Sequence, residues 1–222
     1  MTAYSTLMSQ PRAVSSADPA GKLVLVRHGA TEWSTAGRHT GRTDLPLLPE
    51  GEEQARLLAE RLAAFHPAVV VSSPRLRARH TAELAGFTPT IDEDLQEWDY
   101  GPIEGLTTVA VRARLGRPTW NIFTDGIPAD EAAPPFEPGT AAESVAEITA
   151  RADRVIARYA PVLADGDVLV FAHGHFLRVL AARFLAQPAA FGGSLLLDAA
   201  AVCVLEIQRG MPSIRLWNAA AG

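Results

Sequence analysis

The stretch Leu23-Val24-Leu25-Val26-Arg27-His28-Gly29 decides the fold, because four consecutive apolar residues end in a basic side chain, an imidazole and a glycine. The apolar run is too short for a helix and rich in valine, which predicts a buried parallel strand. Asp167–Ala172 repeats the pattern before His173-Gly174-His175, and residues 68–71 form a third apolar run. Parallel strands need crossover helices that cover both faces of the sheet. The sequence therefore predicts an α/β fold, a three-layer αβα sandwich with a mostly parallel central sheet.

The segments between and after these strands have the spacing of amphipathic helices or the turn residues of a hairpin. Residues 50–65 follow Pro49 with apolar side chains at helical spacing, and residues 75–85 form a basic helix that Gly86 can end. Thr140-Ala-Ala-Glu143 has the form of a capping box and predicts a helix from there to about Leu163. The other predicted elements are a helix over 177–186 and a closing hairpin of 202–207 with 213–217.

The composition is that of one ordinary globular domain, with 222 residues, of which 48% are apolar and 20% charged. The formal net charge of −5 argues against a nucleic-acid-binding protein, which needs an excess of Lys and Arg on one face. Cys203 is the only cysteine, so neither an internal disulfide nor a thiolate zinc cage can form, and a cytoplasmic protein is expected.

The chain lacks a run of about eighteen apolar residues, so we expect no membrane association. Residues 1–21 also lack the basic start and long apolar centre of a secretory signal. We expect a flexible N-terminal tail over 1–21 and a single domain over 22–222. An ordered arm packed on the domain is the alternative for the first segment. The sequence leaves open whether the domain forms a homo-oligomer.

Reactive side chains follow the ends of three predicted strands, at Arg27-His28-Gly29, in the basic segment 75–79 and at His173-Gly174-His175. Ligands of open parallel sheets bind outside the carboxyl ends of the strands, so one site can collect all three. A transferring phosphoryl group spreads charge over three oxygens, which forked guanidinium groups match well. Neutral imidazole is a nucleophile near pH 7 when one nitrogen donates and the other stays free. These residues indicate phosphoryl transfer, with His28 as the nucleophile and Arg27 and Arg77 as cations.

Longer motifs extend this pattern in a fixed order. They are Leu25-Val26-Arg27-His28-Gly29-Ala30-Thr31-Glu32, Arg77-Ala78-Arg79-His80-Thr81-Ala82, Glu97-Trp98-Asp99-Tyr100-Gly101 and His173-Gly174. In this order and spacing, which covers residues 23–216, the chain resembles the histidine phosphatase superfamily, also called the phosphoglycerate mutase-like family. The resemblance implies a phosphoglycerate mutase-like fold, and we expect neither a cofactor nor a metal.

Carried over position by position, the resemblance implies that His28 becomes phosphohistidine and that Glu97 protonates the leaving oxygen. Arg27, Arg77 and His173 would hold the phosphoryl oxygens. The expected substrate-binding residues are Ser34, Thr40, Gly41, Tyr100 and Gly174. Ser34 stands where mutases have Asn, and its hydroxyl is still able to donate to phosphate.

The assignment of Glu97 also has a physical requirement. A free Glu titrates near about 4.3, so an acid at neutral pH needs desolvation or a nearby anion to stay protonated. Trp98 and Tyr100 can supply a wall of low polarity, and bound phosphate the negative charge. Glu104 is the reserve candidate for the acid.

Within the superfamily, the chain most resembles the sedoheptulose-bisphosphatase-like branch. This likeness rests on Gly41-Arg-Thr-Asp-Leu-Pro46, Ser73-Pro-Arg-Leu-Arg-Ala-Arg79 and Trp120-Asn-Ile-Phe-Thr-Asp-Gly126. Phosphoglycerate mutases have a Lys where Thr108 stands and a later Arg-Arg pair, which this sequence lacks. We therefore expect a phosphatase that acts on small phosphorylated metabolites such as sugar phosphates or bisphosphates. The alternatives are a phosphoglycerate mutase and a non-catalytic phosphate-ligand binding protein.

Several residues have a structural interpretation beside a functional one. His173-x-His175 can form half of a metal site, because alternate residues of an extended segment share a face, but no acidic or histidine partner follows at a useful spacing. For the acidic, proline-rich segment 128–139, a substrate-facing lid and a solvated loop are both open. Arg75 and Arg79 are expected on a solvated helix face, and His39, His66 and His80 in structural or surface positions. Trp120 and Phe123 are expected to pack under the acidic segment, and lining of the sugar pocket is the alternative for both.

Overall fold

A computed structural model describes residues 18–128 and 142–222 of the chain. The strands are β1 (Leu23–Arg27), β2 (Pro67–Ser72), β3 (Thr90–Ile91), β4 (Asp167–Ala172), β5 (Val202–Gln208) and β6 (Met211–Ala219). They form one six-stranded sheet in the order β3-β2-β4-β1-β5-β6. The first four strands in this order pair in parallel, and β5 and β6 add an antiparallel hairpin beside β1. The predicted mostly parallel sheet and its closing hairpin are confirmed.

The described helices connect these strands. They are α1 (Glu32–Thr35), α2 (Pro49–Leu62), α3 (Leu76–Leu84), α4 (Thr108–Leu115), α5 (Ile122–Asp125), α6 (Val145–Tyr159) and α7 (Gly174–Phe184). The helices predicted over 50–65, 75–85 and 177–186 correspond to α2, α3 and α7, and their ends differ from the predicted ones by three residues or fewer.

Helices cover both faces of the sheet, which explains why β1 and β4 have no polar alternation. Leu23 and Leu25 pack in one buried cluster with apolar residues of α6 and α7. Val24 and Val26 point the other way, into a second cluster with residues of α2 and α3. Every residue of β4 is buried. The result is the three-layer αβα sandwich that the sequence predicts.

The capping box predicted at Thr140-Ala-Ala-Glu143 is wrong, because the same spacing recurs four residues later and forms the helix start there. Ser144 is the N-cap of α6: its hydroxyl accepts from the Glu147 backbone N–H at 3.2 Å, and the Glu147 carboxylate accepts from the Ser144 N–H at 2.8 Å. Glu143 forms an ion pair with Arg151 instead, at 2.6 Å. Thr140 lies outside the described residues.

Two predicted segments fall largely outside the described residues, namely 1–17 of the proposed tail and 129–139 of the acidic segment. The last residues of the proposed tail contact the domain. Asp18 accepts from the backbone N–H groups of Arg209 and Gly210, and Gly21 donates to the Leu163 carbonyl at 3.0 Å. Within the described part of the chain, no helix combines the length and the hydropathy needed to cross a bilayer.

Candidate active site

The carboxyl ends of β1 and β4 bring two histidines together at one edge of the sheet. These strands are neighbours, with Arg27 opposite Ala172, so the residues that follow them, His28 and His173, lie side by side. Their ring centroids are 5.3 Å apart in an edge-to-face arrangement. Residues separated by most of the chain are therefore neighbours in the fold.

His28 is held with one ring nitrogen bonded and the other free. Its Nδ1 lies 2.8 Å from the carbonyl oxygen of Gly29, which can only accept, so Nδ1 bears the proton and the lone pair is on Nε2. Burial and the nearby charges of Arg77 and Arg27 lower the pKa of His28 well below its usual 6.5. The ring is thus neutral at neutral pH, in the tautomer that a nucleophile requires.

Arg27 lines the same cavity as His28 and has an unused donor. Its Nη1 donates to the Leu197 carbonyl at 2.6 Å, whereas its Nε is buried and has no partner among the described residues. A Cβ on Gly174 would lie 3.2 Å from this Nε, so a glycine at that position keeps the space beside the guanidinium open. A buried N–H without a partner is a ready donor to the oxygen of an anion.

Arg77 is fully buried, and its guanidinium is largely occupied by protein partners. Nη1 donates to the Thr43 carbonyl at 2.9 Å, and Nη2 donates to the carbonyls of Thr40 at 2.9 Å and Gly41 at 3.2 Å. Nε donates to Nδ1 of His173 at 3.2 Å. Arg77 is therefore close to the candidate nucleophile, but it does not line the cavity that Arg27 and His28 line.

His173 has both ring nitrogens engaged. Since Arg77 donates to Nδ1, the neutral ring bears its proton on Nε2, which lies 2.8 Å from the Ser73 hydroxyl. Burial lowers the pKa of His173 well below 6.5, and the charge of Arg77 lowers it further. Ser73 belongs to a motif noted in the sequence, but only the fold shows its contact with His173.

Glu97 lies at the N-terminus of α7, where its carboxylate accepts three backbone hydrogen bonds. Oε1 accepts from the N–H groups of Trp98 and Phe176, both at 2.8 Å, and Oε2 accepts from His175 at 3.0 Å. The helix terminus and these donors stabilise negative charge at this position. Glu97 lines the cavity together with Arg27 and His28, which places a carboxyl group next to the candidate nucleophile.

The cavity at His28 has a volume of about 170 Å³. Four of the five expected substrate-binding residues line it, namely Ser34, Thr40, Tyr100 and Gly174. Gly41 does not; it lines a neighbouring cavity of about 430 Å³ that shares Glu97 with the first. The Tyr100 hydroxyl lies 2.8 Å from Nδ1 of His175, and burial raises the pKa of Tyr100 well above 10, so it is a neutral phenol.

Sequence reasoning missed several residues of the cavity wall. His39 was expected in a structural or surface position, but it is buried, lines the cavity and has a pKa lowered by burial to about 4. Thr108, His175 and Arg178 line this cavity and an adjoining one of about 130 Å³, to which Trp120 and Phe123 also belong. Arg178 stacks on Phe123, with its guanidinium carbon 4.3 Å from the ring centroid. No local pattern indicates these positions, because elements distant in sequence build the wall: Thr108 begins α4, whereas His175 and Arg178 lie on α7.

The metal interpretation of His173-x-His175 has no support in this geometry. Both nitrogens of His173 face protein groups, and Nδ1 of His175 faces the Tyr100 hydroxyl. In residues 18–128 and 142–222, no cluster of three or more His, Cys, Asp or Glu side chains has the arrangement of a metal site.

Comparison with known proteins places this site in context. The model of the histidine phosphatase superfamily (branch 1) matches residues 23–220. An acid phosphatase from Mycobacterium tuberculosis is 37% identical over 193 residues, which cover 86% of this chain and 88% of that protein. A sedoheptulose 1,7-bisphosphatase from Saccharomyces cerevisiae is 38% identical over 192 residues, which cover 72% of this chain and 66% of that protein.

A solved structure of an open reading frame product from Mycobacterium tuberculosis matches with a TM-score of 0.82 at 35% sequence identity, over 91% of this chain and 99% of that one. The resemblance seen in the sequence motifs is therefore confirmed at the level of the family and of the fold. Motifs, fold and family model agree from β1 to the end of the sheet, and the chain belongs to branch 1 of the histidine phosphatase superfamily.

Proposed function

We propose that this protein is a phosphatase that removes phosphate from small phosphorylated metabolites through a phosphohistidine at His28. The observation that carries the proposal is the hydrogen bond from Nδ1 of His28 to the Gly29 carbonyl, at 2.8 Å. It leaves the Nε2 lone pair free beside Arg27, whose buried Nε has no other partner among the described residues. A neutral nucleophile next to an unpaired cation is what attack on a phosphoryl group requires.

The reaction has two steps. In the first, Nε2 of His28 attacks phosphorus, the bond from phosphorus to the leaving oxygen breaks, and Glu97 gives that oxygen a proton. In the second, water attacks the phosphohistidine, Glu97 takes the proton of the water, and inorganic phosphate leaves with His28 restored. Since Oε1 of Glu97 accepts two N–H groups and Oε2 only one, the transferable proton belongs on Oε2.

The cations around His28 divide the binding of the phosphoryl oxygens. Arg27 offers its Nε. Arg77 does not line the cavity in the free protein, and its Nη1 lies 3.9 Å from Oδ1 of Asp44, so its one Nη1 hydrogen beyond the bond to Thr43 reaches a phosphoryl oxygen only after a shift on binding. The Nε2–H of His173, which faces Ser73 in the free protein, can turn its donation to a phosphoryl oxygen. A dianionic group bound here disfavours a second charge beside it, which favours the protonated form of Glu97.

The shape of the site supports sugar phosphates or bisphosphates as substrates. The cavity at His28 continues past Thr108, His175 and Arg178 into the adjoining one, so the substrate extends well beyond its phosphoryl group. Arg38 and Arg178 also line the cavity and suit hydroxyl or anionic groups. The test is a screen of phosphate release from sugar monophosphates, sugar bisphosphates and phosphoglycerates. Rapid conversion of 3- to 2-phosphoglycerate would instead identify a mutase, and binding without phosphate release a binding protein.

Replacement of Glu97 with Gln is expected to lower kcat/KM, which reports the first step alone, by about 10²- to 10³-fold for an alkyl phosphate, because the alkoxide then leaves without a proton. An aryl phosphate such as p-nitrophenyl phosphate, whose leaving group needs no proton, should lose about tenfold or less. Steady-state kinetics on both substrates measure the difference, with the exposed Glu60→Gln variant as control. An equal loss on both substrates would remove Glu97 from the role of acid.

The lowered pKa of His28 predicts activity that persists into acid solution. The nucleophile must be unprotonated, and a pKa below 6.5 means that protonation removes the lone pair only as the pH falls below that value. Nitrogen-15 NMR of His28 between pH 4 and pH 8 should show a neutral ring protonated on Nδ1 at pH 6.5. The fall of kcat/KM for an aryl phosphate that comes from protonation of the enzyme should begin only below that pH. A doubly protonated ring at pH 6.5 would contradict the prediction.

A further inference from the structure

The contacts of Glu104, the reserve candidate for the acid, give it a different role. We propose that Glu104 is a positioning residue: it holds the loop 40–43, and through this loop it fixes Arg77 and the tautomer of His173. The proposal rests on the proposed function in one respect, that Arg77 and His173 serve phosphoryl transfer.

The carboxylate of Glu104 binds the backbone of the loop at two places. Oε1 accepts from the N–H of Thr43 at 2.6 Å, and Oε2 accepts from the N–H of Arg42 at 3.1 Å. Gly41 lies so close that a Cβ on it would be 3.1 Å from Oε2 and 2.7 Å from the Trp98 carbonyl. The loop therefore lies against Glu104 with no room for a side chain between them.

The peptide unit between Gly41 and Arg42 joins Glu104 to Arg77. Its N–H donates to Glu104, and its C=O accepts from Nη2 of Arg77 at 3.2 Å. In a trans peptide the N–H and the C=O point in opposite directions. This peptide plane therefore lies between the Glu104 carboxylate and the Arg77 guanidinium, and both charges favour the same orientation of the peptide dipole. Rotation of this plane would break both contacts at once.

Thr43 also joins Glu104 to Arg77, here through two successive peptide units. Its N–H donates to Glu104, and its carbonyl accepts from Nη1 of Arg77 at 2.9 Å. Three of the hydrogen bonds of Arg77 are made to carbonyls of this loop. The orientation of the buried guanidinium thus depends on a loop that Glu104 anchors from the other side.

The orientation of Arg77 determines which nitrogen of His173 bears the proton. Nε of Arg77 donates to Nδ1 of His173, which puts the proton on Nε2, the nitrogen that faces Ser73. A rotated guanidinium would withdraw that donor and allow the other tautomer, whose Nε2 could not donate to a phosphoryl oxygen. Glu104 therefore acts on the reaction through two intervening residues without contacting the substrate.

The position of Glu104 argues against an acid role. It lines neither the cavity at His28 nor the larger one beside Gly41. Glu97, by contrast, lines both cavities.

The experiment compares wild type with Glu104→Gln and Glu104→Ala. Gln keeps the shape and one acceptor, whereas Ala removes both contacts with the loop. We expect kcat/KM to fall by about 10-fold in the first and about 100-fold in the second, equally for alkyl and aryl phosphates. Nitrogen-15 NMR should show His173 protonated on Nε2 in wild type and a mixture of tautomers in the variants. Glu104→Gln alone suffices if Glu104→Ala does not fold.

Asp167→Asn is the matched control, because Asp167 is also a carboxylate that accepts two backbone N–H groups. Oδ1 accepts from Lys22 and Oδ2 from His66, both at 2.8 Å, at the start of β4 and away from the site. This variant should lose thermal stability but keep kcat/KM and the His173 tautomer of wild type. The Asp167→Asn variant therefore distinguishes the general effect of losing a carboxylate that binds backbone N–H groups from the specific effect of losing Glu104 at the active site.

Two results would overturn the inference while the proposed function stands. One is an unchanged His173 tautomer in both Glu104 variants, and the other is a loss of activity confined to alkyl phosphates, which would make Glu104 the acid. A wild-type protein that neither releases phosphate nor labels His28 overturns the proposed function, and the tautomer comparison still decides the inference.

Discussion

Replacement of His28 with Ala is expected to lower phosphate release by about 10⁴-fold or more. The variant loses the atom that forms the bond to phosphorus, and the imidazole packed against it, His173, has both nitrogens engaged by protein groups. The phosphoenzyme should vanish with the activity. The measurement is phosphate release together with acid-labile phosphate on the protein after a brief reaction with labelled substrate.

The control for this prediction is His80→Ala, which removes an imidazole from α3, on which no site residue but Arg77 lies. Its activity and labelling should match those of wild type, and the thermal unfolding of both variants shows whether the fold survives. Full turnover by His28→Ala, or labelling that persists in it, would refute the covalent scheme.

Arg77→Met is expected to reduce both activity and stability. It removes the cation and leaves the carbonyls of buried Gly41 and half-buried Thr40 and Thr43 without their donor. Each buried polar group that loses its partner costs about 1–3 kcal/mol, so the free energy of unfolding should fall by several kcal/mol. Loss of phosphoryl binding and of the His173 tautomer together should lower kcat/KM by about 10³-fold.

Kinetics well below the midpoint of thermal unfolding separate these two effects of Arg77→Met. The matched control is Arg79→Met, two residues along α3, for which no hydrogen bond to the loop 40–43 exists in the described structure. Arg79→Met should retain activity within a few-fold. A stable, fully active Arg77→Met protein would remove Arg77 from both roles.

The fold could be predicted from the sequence because short local patterns identify its central strands. Each of β1 and β4 contains an apolar run and is followed directly by a histidine, and such runs occur where both faces of a parallel sheet are covered. The start of α6 was misplaced, since Thr140 and Ser144 each precede a Glu by three residues and only tertiary contacts choose between them. Glu143 is engaged by Arg151 and is not available as a cap.

The site could be predicted only in part, for a related reason. Motifs indicate the candidate residues, and the structure places His28 directly after β1 and the Glu97 carboxylate against the first turn of α7. Three of the four hydrogen-bond partners described for Arg77 are backbone carbonyls more than thirty residues away in sequence. Side-chain identity carries no information about such contacts, because any residue supplies a carbonyl.

The place of β1 within the sheet has a consequence for how such an enzyme can change. β1 is bonded to β4 on one side and β5 on the other, and the His28 N–H and carbonyl extend both pairings, to Ala172 and Ala200 at 3.0 Å. Most of the wall opposite comes from segments outside the sheet, around residues 34–40, Thr108 and Leu197. Natural or directed evolution can therefore change those segments so that new substrates fit, while the residues at the end of β1 stay the same.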